Sequence, residues 1–169
     1  MSLLISIHLL AAIVDIFTSG QDGYLLYRIP SLLRLPDGRI TCFCEGRKTV
    51  SDVGYNDLVY RTSLDSTGET WGPMRLLRTE STNTTHVALN NPTPMLDGNG
   101  SVVLLYARNV RQVFALRSLD AFGQQWPSEA VDITYALRLA DLPSMVVPGP
   151  PAGLQVLSRC TRGSSSLSA

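Results

Sequence analysis

Arg28, Arg47 and Asp52 lie close together in the chain, and their types could together handle an anion and a proton. Between the two arginines stands Pro36-Asp37-Gly38, a tight-turn signature flanked by apolar runs. If Asp37-Gly38 is a two-residue turn, paired positions sum to 75, and Arg28 sits opposite Arg47, give or take one residue. Two guanidiniums facing each other across strands repel. An anion bound near them would relieve that cost; so would solvation, or pairing with Glu45 and Asp57. Asp52 follows in the loop from Lys48 to Tyr55. A carboxylic acid in such a loop can donate a proton and then act as base toward water. It can equally cap a turn ahead of Val53-Gly54.

The elements that must carry these residues read as strands. Short runs rich in Val, Ile, Leu, Phe and Tyr alternate with Gly, Pro, Asp and Asn turns. The clearest runs are Leu25 to Leu35, Arg39 to Glu45, Asp57 to Thr62, Ser101 to Ala107 and Gln112 to Ser118. Asp97-Gly98-Asn99-Gly100 is a second turn, and Asn91-Pro92-Thr93-Pro94 reads as a Pro-bracketed loop. Only Ile133 to Ala140 has helical flavour, and it is short. The expected fold class is all-β.

A repeat sharpens this. Ser63-Leu64-Asp65-Ser66-Thr67-Gly68-Glu69-Thr70-Trp71 recurs 55 residues later as Ser118-Leu119-Asp120-Ala121-Phe122-Gly123-Gln124-Gln125-Trp126. Ser63, Asp65, Gly68 and Trp71 match Ser118, Asp120, Gly123 and Trp126 at identical offsets. Such a segment suits a turn at a hairpin tip: the carboxylate accepts backbone N–H groups, glycine supplies positive φ, and tryptophan folds back as an apolar anchor. The repeated aspartates therefore read as structural staples. All-β units repeating at this length suggest propeller blades.

Composition narrows the function classes. The 169 residues carry 14 basic and 14 acidic side chains, and a net charge of zero argues against binding nucleic acid through a basic surface. Thirteen of the basic residues are arginine and one is lysine, Lys48. Hydrophobic residues make up 44%, enough to build a core. Cys42, Cys44 and Cys160 form no disulfide framework, and His8 and His86 stand too far apart for metal-ligand spacing, so no metal or other cofactor is expected. Leu3 to Val14 is apolar, as in a signal-peptide core, but no Lys or Arg precedes it. It is too short to span a bilayer. The alternative is a buried first strand running through Ile13 to Phe17. A signal would place the chain in a secreted, lysosomal or membrane-associated setting, its absence in the cytoplasm; the compartment stays open.

The repeats resemble the Asp-boxes of sialidases, with one extra residue between Asp and Gly in both copies. Tyr27-Arg28-Ile29-Pro30 resembles the arginine motif near the start of sialidase domains. Glu45-Gly46-Arg47, Ser51-Asp52 and Asp57 to Arg61 resemble the segment that follows. Asn91 to Pro94 and Pro148 to Gln155 resemble two later motifs, in the same order. The resemblance implies a six-bladed β-propeller. At about 55 residues per blade it needs on the order of 330 residues, so about three blades, an N-terminal half, are expected here. Residues 1–14 would be a signal-like or first-strand segment, 15–157 the propeller part and 158–169 a divergent Ser-rich tail.

By this resemblance the chain is an exo-α-sialidase, removing terminal sialic acid from glycoproteins, glycolipids or oligosaccharides with retention. Arg28 would belong to the arginine set that binds the substrate carboxylate, a task suited to the planar guanidinium. Arg47 and Asn91 would line the same pocket, and Asp52 would be the acid/base. The family's tyrosine nucleophile, its glutamate and two further arginines lie later in members than this chain extends. The chain alone is therefore expected to have no substantial sialidase activity. Alternatives are a non-catalytic sialoside-binding module and an Asp-box propeller with another interaction role.

Overall fold

The computed structural model describes residues 13–137, 145–149 and 153. Two antiparallel four-stranded meanders make up the fold. The first runs β1 (Leu26–Arg34), β2 (Ile40–Arg47), β3 (Asn56–Thr62), β4 (Arg75–Arg78), and the second β5 (Leu89–Leu96), β6 (Val102–Arg108), β7 (Gln112–Arg117), β8 (Val131–Asp132). Among the described residues there is no α-helix, only a 3-10 turn at Tyr135–Leu137, and no sheet closes on itself. The chain is all-β.

Alternation along the strands gives each sheet an apolar face, and the two faces meet. Leu33, Phe43, Leu58 and Tyr60 of the first sheet share one core with Leu89, Val102, Leu104, Tyr106 and Leu116 of the second. Each such side chain contributes about 1.5–3 kcal/mol on burial. The other face of the first sheet buries Tyr24, Cys44 and Val59, with Phe17, Tyr27 and Met74 against them. β2 is consequently buried along nearly its whole length, including the charged Glu45 and Arg47.

Four details depart from the sequence reading. The Asp37-Gly38 turn has a three-residue loop: Leu35 N–H donates to Arg39 O, and Gly38 takes φ 89°. Pairs therefore sum to 74 near the turn, and a bulge between Arg28 and Ser31 shifts them again. Arg28 lies opposite Glu45, and Arg47 opposite Leu26. The two arginines do not face each other across the ladder. Second, Asn91 to Pro94 is no loop but the middle of β5. β1 and β5 are edge strands, where a missing proline N–H is tolerated. Third, Ile13 to Phe17 forms no strand, and Ile13 is fully open to solvent. Fourth, β4 and β8 are pairings too short for periodicity to reveal. Residues 1–12, Cys160 and the Ser-rich tail lie outside the described residues, as do parts of the Ile133 to Ala140 and Pro148 to Gln155 stretches.

The two repeated segments share one hydrogen-bond plan. Ser63 Oγ accepts from Ile40 N–H and donates to Asp65 O; Ser118 Oγ does the same with Val102 and Asp120. Asp65 Oδ1 accepts the N–H of Thr67, Gly68 and Glu69, and Asp120 Oδ1 those of Phe122 and Gln124. The Trp71 and Trp126 indoles donate to the carbonyls of Gly68 and Gly123. Hydrogen bonds led by the Thr70 hydroxyl hold the Asp65 carboxyl well below its ordinary range. Trp126 packs on the shared core edge-to-face with Phe43, so the second turn also wedges the two sheets together.

Candidate active site

Both edge strands bend at the same kind of point. Ile29 and Asn91 adopt φ 55° and 54°, each immediately before a proline and each inside a bulge. A β-branched residue in the left-handed region is strained, at a cost of about 1–3 kcal/mol. Val110, in the turn from β6 to β7, is a third case at φ 52°. All three residues line one cavity of about 210 Å³ between the sheets. Arg28, Arg47, Asp52 and Asn90 form its polar side; Met145 and Val147 join Ile29 and Val110 on the apolar side. The bulges turn β1 and β5 so that the two consecutive residues ahead of each proline both reach this space, which a regular pleat would not achieve.

The polar side is one connected network. Arg47 is almost wholly buried; its Nε donates to Glu45 Oε2 at 2.7 Å, Nη2 donates to the same oxygen, and Nη1 donates to Asp52 Oδ1 at 2.5 Å. Arg28 stands 3.7 Å from Asp52 Oδ1 with half of its side chain in solvent. Glu45, fully buried, also accepts the Asn91 N–H at 2.8 Å. Burial leaves the Glu45 carboxyl raised above its ordinary value, although the Asn91 N–H and the Arg47 guanidinium pull it down. Burial works to lower the Arg47 guanidinium, but its bonds to Asp52 and Glu45 raise it. The hydrogen bond and charge of Arg47 hold the Asp52 carboxyl below its ordinary range, with Arg28 adding to the effect.

Arg28, Arg47, Asp52 and Asn91 thus share one cavity. Of the two arginines, Arg28 is half exposed and among the described residues is paired only at 3.7 Å with Asp52, whereas Arg47 is committed to Glu45 and Asp52. Asn91 contributes backbone strain and an N–H to the network. The repeated residues, Ser63 to Trp71 and Ser118 to Trp126, lie away from the cavity. Asn90 lines the cavity, and Glu45 and Asn56 back it through hydrogen bonds with Arg47 and Asp52; of the three only Glu45 is marked in the sequence, because nothing in a strand's alternation marks a buried amide. Among the described residues no tyrosine lines the cavity, and no group of three His, Cys, Asp or Glu is placed to hold a metal. No helix there is long and apolar enough to cross a membrane.

No family model matches the chain. It is 31% identical over 103 residues to a sialidase of Micromonospora viridifaciens, covering 60% of this chain and 16% of that protein. It is 31% identical over 122 residues to an exo-alpha-sialidase of Aspergillus fumigatus, covering 69% of this chain and 29% of the relative. In three dimensions it resembles the Hadza microbial sialidase Hz136 with a TM-score of 0.67 at 23% identity, over 80% of this chain and 31% of that one. The structural likeness concerns the fold. The chain spans less than a third of the length of the curated relatives it matches. Shared sequence and shared fold make this chain a relative of the sialidases, over a limited part of their length.

Proposed function

We propose that the cavity between the two sheets is part of an exo-α-sialidase site and that the fold is part of a six-bladed propeller. The carrying observation is the convergence of Arg28, Arg47 and Asp52 on one cavity. In this reading Arg28 takes the substrate carboxylate, since its guanidinium is half exposed and only loosely paired. Arg47 acts chiefly on Asp52, fixing the carboxylate and keeping it ionised before substrate binds. Asp52 exchanges a proton with the glycosidic oxygen.

The electrostatics give this a sequence. An ionised Asp52 cannot donate a proton. A sialic acid carboxylate arriving at Arg28 draws off part of the positive charge that holds Asp52 low, and it adds a negative charge nearby. Both effects raise the Asp52 carboxyl toward protonation. Substrate binding thereby arms the acid. The nucleophile is not assigned to any described residue.

The test is titration of the 169-residue chain with N-acetylneuraminate, followed by two-dimensional amide NMR. Shifts should appear at Arg28, Ile29 and Asn91, and Arg28→Ala should weaken binding about 10–100-fold, the worth of one charged hydrogen-bonded contact. A folded chain whose cavity resonances ignore the sugar would sink the reading. Cleavage of a fluorogenic sialoside, assayed in parallel, separates a binding remnant from an enzyme. Turnover that disappears in Asp52→Asn would tie catalysis to this cavity.

A further inference from the structure

We propose that Asn56 and Asn90 are positioning residues for Asp52, each gripping its main-chain carbonyl from a different sheet. Asn56 opens β3 and is fully buried; Asn90 lies in β5 and is 2% exposed. Asn56 Nδ2 donates to Asp52 O at 3.0 Å, and Asn90 Nδ2 donates to the same oxygen at 2.9 Å. One carbonyl thus takes two donors across the seam between the sheets.

The loop needs such a hold. Its own bonds are local: Lys48 N–H to Tyr55 O, and Val53 N–H to Ser51 Oγ. Val50 and Val53 point into solvent, and 70% of the Asp52 side chain is exposed, so packing does not fix it. Apart from its ion pairs with Arg47 and Arg28, Asp52 is tied to the sheets through the two amides. The amides are themselves seated by the fold. Asn56 pairs with Arg47 in the ladder and bridges to Ala88, and Asn90 also reaches Glu45 Oε1 at 3.4 Å.

Two further points favour positioning over simple filling. Among the described residues neither Asn56 Oδ1 nor Asn90 Oδ1 has a hydrogen-bond partner. Burying an unpaired amide oxygen is unfavourable, and an apolar side chain would fill either position more cheaply. The orientation is also forced, because an amide oxygen turned toward the Asp52 carbonyl would meet another acceptor. What each asparagine gains in place is the donor aimed at Asp52. The importance of this to chemistry rests on the reading of Asp52 as the proton-transfer group; the grip itself does not.

The experiment uses the full chain labelled with ¹³C at aspartate side chains. Asn56→Ala and Asn90→Ala are compared with wild type by following the Asp52 carboxyl through a pH titration. Loss of either donor should let the loop drift from Arg47, so the Asp52 titration moves up toward the ordinary carboxylate value. Amide hydrogen exchange across Asp52 to Gly54 should quicken at least about tenfold. In folded variants, an unmoved Asp52 titration and unchanged exchange overturn the proposal. A measurement on wild type covers the case where neither variant folds. The side-chain amide protons of Asn56 and Asn90 should exchange at least about tenfold more slowly than those of exposed Asn83, and equal rates overturn the grip. Absence of N-acetylneuraminate binding with a shifted Asp52 titration would remove the proposed function and leave the positioning intact.

Discussion

Glu45→Gln tests whether the buried network is held by a charged carboxylate. Both Glu45 and Arg47 are at most 1% exposed, and Arg47 directs Nε and Nη2 at the same carboxylate oxygen. Two opposing influences act on Glu45: burial favours the neutral acid, and the adjacent guanidinium favours the anion. Burial is the larger influence and leaves the carboxyl raised, yet the two donors on one oxygen argue that the anion still prevails at pH 7, since a protonated carboxyl loses acceptor strength where the guanidinium needs it. Removing one charge from a buried pair costs about 3–5 kcal/mol, because the other is left uncompensated. Glutamine keeps the volume and one acceptor, and Arg47 keeps Asp52, so the lower part of that range applies. For a chain of this length each kcal/mol is worth about 2–4 °C. The expected fall in Tm is therefore roughly 6–12 °C at pH 7, read by far-UV circular dichroism. Adding Arg47→Met to Glu45→Gln should cost less than the sum of the single changes, with a coupling of at least about 1 kcal/mol. A Tm within about 2 °C of wild type would refute the reasoning and mean that Glu45 is folded as the neutral acid.

Val110→Gly should raise stability. Arg111 N–H donates to Arg108 O, and Asn109 and Val110 are both left-handed, so the turn is the kind that favours Asn-Gly. Relief of about 1–2 kcal/mol, less some lost packing, predicts a Tm gain of a few degrees. Gly46→Ala should lower it. An added Cβ would sit 2.9 Å from the Tyr24 ring, which is pinned by its hydroxyl to buried Asp57, and overpacking costs about 1–3 kcal/mol. Burial pushes the Cys42 thiol up to about 12 and raises Cys44 as well. Peptide mapping after iodoacetamide at pH 8 should find Cys42 modified roughly a thousandfold more slowly than in denaturant, the deficit in thiolate, and Cys44 more slowly still. The Asp52 carboxyl is lowered in the fold, so its ion pair stabilises above the ordinary value of 3.8 and fades as pH falls through the depressed one. The Tm difference between wild type and Asp52→Asn should stay constant from pH 7 to 5 and shrink in stronger acid.

How much of this was legible beforehand depends on what each feature rests on. β1, β2, β3, β6 and β7 announce themselves through apolar runs between turn residues. β4 and β8 do not, because pairings of four and two residues are too short to show a period. β5 was obscured by its own prolines, which mark a loop locally and are allowed only because β5 is an edge. The register is not legible because the hairpin loop has three residues rather than two, and because a bulge lies between Arg28 and Ser31. At the site, Arg28, Arg47 and Asp52 stand out by charge and spacing. Glu45 is visible as a charge two residues from Arg47, but its burial is not; Asn56 and Asn90 stay silent, since the one meets Asp52 only through the course of a loop and the other comes from the second sheet. Asn90 is 38 residues from Asp52 and 45 from Glu45.

The twin bends at Ile29 and Asn91 have a consequence for how chemistry can change on this scaffold. They fall 62 residues apart in the chain and repeat one backbone device. Yet the residue just ahead of the first is arginine and the residue just ahead of the second is asparagine. The path of the main chain is set by proline, the bulge and the ladder beneath, none of which consults that preceding side chain. Each sheet therefore offers a seat of the same backbone kind beside a shared space, filled by a half-exposed arginine in one and a buried asparagine in the other. Charge, donors or apolar bulk can be rewritten at the Arg28 seat while the architecture stands still, whereas a change at the Asn90 seat reaches Asp52 and Glu45 as well.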